Sequence, residues 1–83
     1  MQLLYFAWVR ERIGLGAEEV DPPVTIATVA DLIAWLSSRS DGHAAAFADP
    51  ARLRAAIDQA FVPLDTSVVG AREVAIFPPV TGG

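Results

Sequence analysis

Thr28-Val29-Ala30-Asp31-Leu32-Ile33-Ala34-Trp35-Leu36 carries the pattern around which the rest of the chain is organised. Thr28 and Asp31 have the hydroxyl-x-x-acid spacing of a helix start. Val29, Leu32, Ile33 and Leu36 follow at the i, i+3, i+4, i+7 spacing of one buried stripe. The spacing predicts a main helix over about 28–39. Trp35 lies off the centre of the stripe and reads as a boundary residue covering the edge of the core rather than as a binding side chain. Asp41-Gly42 reads as the end of the helix, with His43 to Asp49 adding at most one Ala-rich turn before Pro50.

Downstream, Leu53 to Ile57 reads as a strand, Asp58-Gln59 as a turn and Phe61-Val62 as a short return broken by Pro63. Leu64 to Gly70 is a polar, turn-rich connection. Glu73 to Phe77 alternates as a last strand and stops at Pro78-Pro79. Upstream, the apolar and aromatic run Leu3 to Trp8, closed by Arg10-Glu11-Arg12, Gly14 and Gly16, reads as the first strand. Glu18 to Asp21 reads as a short edge strand, because Pro22-Pro23 and its charges are tolerated only there. Strand, strand, helix, strand, short strand, strand is the order of the ubiquitin-like β-grasp fold. That is an α+β architecture in which one main helix packs across a mixed sheet.

Eighty-three residues hold one domain. It is expected over residues 1–79, with an extended, flexible tail over 80–83. The chain is 53% hydrophobic and 19% charged, so it is globular, and no apolar run is long enough to span a membrane. Met1-Gln2-Leu3-Leu4-Tyr5-Phe6 lacks the basic flank and cleavage site of a signal peptide, which gives a cytoplasmic expectation. The net charge is −4 and the arginines are scattered through the sequence, which argues against nucleic acid as a partner. With no cysteine there are no disulfides, no thiolate ligands and no sulfur chemistry on a side-chain thiol. His43, the single histidine, has no second ligand nearby and is expected at the surface; no metal site and no permanently bound cofactor are expected.

Strand parity places Val74 and Ile76 on one side of the last strand, and Glu73, Ala75 and Phe77 on the other, with Glu73 solvated. In the first strand Leu4 and Phe6 oppose Leu3, Tyr5 and Ala7. Val62 is the core residue of the short return, which leaves Phe61 outward. Leu4, Phe6, Phe61 and Phe77 would then share one exposed apolar face, the mark of a protein interface; the alternative is a bulge that turns one or more of them inward.

Beyond this face the chain ends in Pro78-Pro79-Val80-Thr81-Gly82-Gly83. The proline pair sets an extended exit, and at about 3.3 Å per residue the last four residues reach roughly 13 Å from the domain. The glycines make a thread narrow enough to enter a tunnel in another protein, and leave the terminal carbonyl open to attack. Any sulfur carried by this cysteine-free chain has to sit on Gly83. A bare Gly-Gly ending is ambiguous on its own.

Phe6-Ala7-Trp8-Val9-Arg10-Glu11, Ala56-Ile57-Asp58-Gln59-Ala60-Phe61-Val62 and Phe77-Pro78-Pro79-Val80-Thr81-Gly82-Gly83 together resemble the small, sulfur carrier subunit of molybdopterin synthase, over essentially the whole chain. The resemblance implies that an ATP-dependent adenylating enzyme activates the Gly83 carboxylate and that a sulfur donor converts it to a thiocarboxylate. The tail then gives its sulfur to cyclic pyranopterin monophosphate inside the large, catalytic subunit. It also implies a heterotetramer in which two small subunits flank a dimer of large ones, held by apolar residues at Phe6, Phe61 and Phe77. Asp58 stands where the family often has Asn, and Val69-Gly70-Ala71-Arg72-Glu73 where it often has Asp-Gly-Asp before the last strand. Arg72 for an acid bears on the electrostatic contacts with the activating enzyme. Two readings stand beside this one. The first is a β-grasp carrier serving thiazole synthesis, cysteine synthesis or RNA thiolation. The second is a binding module without covalent chemistry, which would survive deletion of Gly83.

Overall fold

A computed structural model describes residues 1–79; the expectations attached to Val80, Thr81, Gly82 and Gly83 lie outside the described residues. The sheet has five strands: β1 (Gln2–Tyr5), β2 (Ala17–Glu19), β3 (Arg54–Ile57), β4 (Ala60–Val62) and β5 (Glu73–Phe77). Their order is β2-β1-β5-β3-β4, with β1 and β5 parallel and every other pair antiparallel. This is the mixed sheet expected of a β-grasp.

The helix that organises the sequence forms as α2 (Val29–Ser37), a little shorter than expected. Its capping box is complete: the Asp31 amide donates to Thr28 Oγ1 at 3.1 Å, and the Thr28 amide donates back to Asp31 Oδ2 at 3.2 Å. The next orphan donors find the polar connection before β5, Val29 N–H meeting Thr66 O at 3.0 Å and Ala30 N–H meeting Leu64 O at 2.8 Å. Val29, Leu32, Ile33 and Leu36 are buried against Leu3, Tyr5, Val74 and Ile76 from the inner face of the sheet. Trp35 packs at the edge of this core under the Arg39 guanidinium, 5.2 Å from its ring centre, as a boundary residue should.

Two further helices correct the sequence reading. The run Leu3 to Trp8 is not one strand. It leaves the sheet at Phe6 and enters α1 (Ala7–Ile13) through Ala7, whose φ is +51°. Val9 is buried and Ile13, one turn on, packs on the core, so an i, i+4 pair overrides the aromatic strand propensity. Gly14, at φ +88°, closes the helix by donating its N–H to Arg10 O at 2.8 Å.

Asp41-Gly42 likewise begins a helix, α3 (Asp41–Ala46), instead of ending one. Ser40 is its N-cap, accepting the His43 amide at 3.1 Å. Gly42 allows the approach of α1, since a Cβ there would lie 2.6 Å from the Arg12 carbonyl oxygen. His43 is consequently buried at 5% exposure, contrary to the surface expectation.

Candidate functional site

Directly paired residues share a face of the sheet, so the register can be read as rows. One row crosses all five strands as Ala17, Leu4, Ala75, Ala56 and Phe61. All of these lie on the face opposite α2. Leu4 is half-buried, and Phe61 is 81% exposed. Ala75 and Ala56 are buried although they face outward, because short side chains form the floor between larger neighbours. The role of Ala56 was readable by the same parity that placed Ala75.

Phe77 lies between the two exposed rings of this face. Its ring centre lies 5.6 Å from that of Phe61 and 6.5 Å from that of Phe6, the latter pair edge-to-face. Phe6 is 48% exposed and Phe77 half-buried. The outward expectation holds for Leu4, Phe6, Phe61 and Phe77; neither strand bulges to turn them into the core. Phe6 keeps its orientation although it lies just past β1, because its backbone remains extended at φ −133°, ψ 158° before the chain turns into α1. Glu73, expected solvated, is partly covered.

The strip ends where the chain leaves the sheet. Phe77 is the last residue of β5, Pro78 is half-buried and Pro79 exposed, so the strand that carries the central ring also delivers the tail. At the opposite end of β5 the Asp58-Gln59 turn holds positive φ at both residues, +47° and +74°. Asp58 Oδ1 accepts the Arg72 and Glu73 amides at 3.1 and 2.9 Å. An Asn in this position would present the same oxygen and tolerate the same φ, so the Asp58 departure leaves the turn intact.

A second polar cluster lies on the inner side of the sheet. Glu18 Oε2 accepts the Tyr5 hydroxyl at 2.8 Å and His43 Nε2 at 2.6 Å; Ser40 Oγ meets His43 Nδ1 at 2.7 Å, and Arg39 stands 3.6 Å from Glu18 Oε1. Burial pushes the Glu18 carboxyl up, but the His43 and Tyr5 hydrogen bonds and the His43 and Arg39 charges outweigh it, and the net shift is downward. The Tyr5 hydroxyl is raised by burial, then by its bond to Glu18 and by the carboxylate charge. The ionised Glu18 can only accept, so Nε2 of His43 carries the proton in that bond. The cluster joins β1, β2 and α3 and touches neither the apolar face nor the tail exit. Among the described residues no three potential ligands converge on a metal position.

Comparison with known proteins bears on this geometry. A model of the ThiS family matches residues 3–83. The molybdopterin synthase sulfur carrier subunit of Escherichia coli is 41% identical over 83 residues, covering all of this chain and 99% of the relative. That of Haemophilus influenzae is 36% identical with the same coverage. Among solved structures, SAMP1 from Haloferax volcanii superposes with a TM-score of 0.72 at 25% identity, covering 100% of this chain and 98% of that one. A Pyrococcus furiosus protein described as a molybdopterin converting factor subunit 1 gives 0.70 at 26% identity, covering 95% of each.

Proposed function

This chain belongs to the ThiS family, and from that premise we propose that it is the sulfur carrier subunit of a molybdopterin synthase, with the Gly83 carboxylate as the group that carries sulfur. In this reading a carboxylate oxygen of Gly83 attacks the α-phosphorus of ATP on an adenylating enzyme and releases pyrophosphate. A sulfur donor then displaces AMP, leaving a thiocarboxylate. Activation is required because a free carboxylate has no adequate leaving group. The thiocarboxylate is delivered into the catalytic large subunit, where its sulfur passes to cyclic pyranopterin monophosphate.

The observation that carries the reading is the union of grip and tail on one strand. Phe77 anchors the apolar strip from Phe6 to Phe61, and the next residues are Pro78-Pro79 and the Gly-Gly thread. Docking the strip therefore fixes the origin of the tail against the partner. Leu4, Phe6, Phe61 and Phe77 supply the contact, Pro78, Pro79, Val80, Thr81 and Gly82 the reach, and Gly83 the chemistry. The large subunit supplies the catalytic residues.

Intact mass spectrometry after incubation with ATP, the adenylating enzyme and a sulfur donor tests this. Exchange of one oxygen for sulfur adds about 16 Da, and deletion of Gly83 removes the gain. A chain that stays at its starting mass with its cognate activating enzyme is not a sulfur carrier.

A further inference from the structure

The end of the sheet from which the tail departs carries an arrangement of cations that the apolar strip does not use. Trp8, in α1, has the Arg12 guanidinium 4.5 Å and the Arg52 guanidinium 5.3 Å from its ring centre. Arg12 comes from the same helix, one turn on; Arg52 comes from the 3-10 turn Pro50–Arg52 that leads into β3. Arg54, the first residue of β3, is the direct cross-strand partner of Phe77. Its Nη1 donates to Leu53 O at 2.8 Å and Ala51 O at 3.2 Å, which ties it to the same turn. All three arginines are exposed, and among the described residues none of them pairs with a carboxylate, although Glu11 and Asp49 lie on the same segments.

We propose that Arg12, Arg52 and Arg54 form a preorganised cationic rim around the tail exit that pairs with carboxylates at the mouth of the partner channel receiving the tail. The inference rests on the carrier reading and adds the charge of the partner surface to it. Three observations support it. The rim is continuous with the apolar strip through Phe77 and Arg54, so a protein seated on the strip meets these guanidiniums at its border. They are positioned by an indole ring and by carbonyl oxygens, groups that hold a guanidinium without cancelling its charge, so little side-chain freedom is left to lose on docking. The chain as a whole bears a net charge of −4, so concentrating cations at one end makes that end the one an acidic surface attracts.

The test is the association rate of the full chain with the purified catalytic subunit of molybdopterin synthase, measured from low to high salt. Replacing the three arginines together by glutamine is expected to slow association roughly tenfold at low salt and to flatten the salt dependence. Replacing them by lysine, which keeps the charge but changes the stacking, should restore most of the rate. Phe77→Ala, which adds no charge beside Arg54, should weaken binding at every salt concentration and leave the salt slope in place. A glutamine triple variant that melts like the wild type and associates at the wild-type rate, or faster, overturns the rim while leaving the carrier reading standing. A wild-type chain that fails to bind the catalytic subunit overturns both.

Discussion

Glu18 is the side chain whose surroundings do most to hold distant parts of the chain together. One carboxylate oxygen serves Tyr5 from β1 and His43 from α3, and Glu18 itself stands in β2. Its folded-state pKa lies below the ordinary 4.5, so the unfolded chain binds the proton more tightly. The stability it supplies is present above that value and is lost as pH falls through the folded pKa. Thermal melts between pH 7 and pH 3 should show Glu18→Gln destabilised by about 1–3 kcal/mol at neutral pH, with a shallower acid limb than the wild type. A wild-type acid limb in the variant would assign the loss to other carboxylates. At the far turn, Asp58→Ala should cost about 2 kcal/mol or more in chemical denaturation, since it loses the acceptor of two amides and puts alanine at positive φ; Asp58→Asn should cost little. The buried network was not legible in the sequence. Its hydrogen-bonded partners are separated by up to 25 residues, and an isolated histidine among alanines gives no sign of its partner. Ser40, three residues before His43, was the local clue, as the N-cap of a helix.

At the scale of elements, β2 to β5 were legible because prolines, glycines and charges bracket them, and parity then placed the phenylalanines; β1 was legible at its start but not at its end, where the aromatic run continues past Tyr5. The helices α1 and α3 were not legible. The aromatic run through Trp8 has strong strand propensity, and only the spacing of Val9 and Ile13, with Gly14 as the stop, speaks for a helix. The two helices depend on each other at Gly42. Gly42→Ala should lower the melting temperature and cost about 1–3 kcal/mol, because the added methyl meets the Arg12 carbonyl and the Ile13 backbone, which cannot swing aside as a side chain could. Gly70→Ala is a useful contrast: it has open space around it, and its cost would come from φ +79° alone. Since α1 carries Trp8 and Arg12 and follows Phe6 directly, a shift of α1 against α3 should also disturb the tail-exit end of the sheet.

At the scale of the whole molecule, the sheet has one face covered by the core and one that carries the exposed apolar strip. Phe61→Ala should leave the melting temperature nearly unchanged, because the ring is 81% exposed, yet weaken the proposed complex by about 2 kcal/mol in titration calorimetry. Equal effects on both would mean that Phe61 is part of the fold rather than the grip. The central place of β5 has a further consequence. The pairs β1–β2 and β3–β4 lie on either side of it, and its first residue, Glu73, is registered against Gln2 at the other end of the chain. Neither half of the sheet has its neighbour until β5 has been synthesised. A nascent chain cut short before that strand has no sheet to complete and is left to proteases. The order of the strands thus acts as an inspection step: only copies translated through β5 become folded molecules that can compete for a partner.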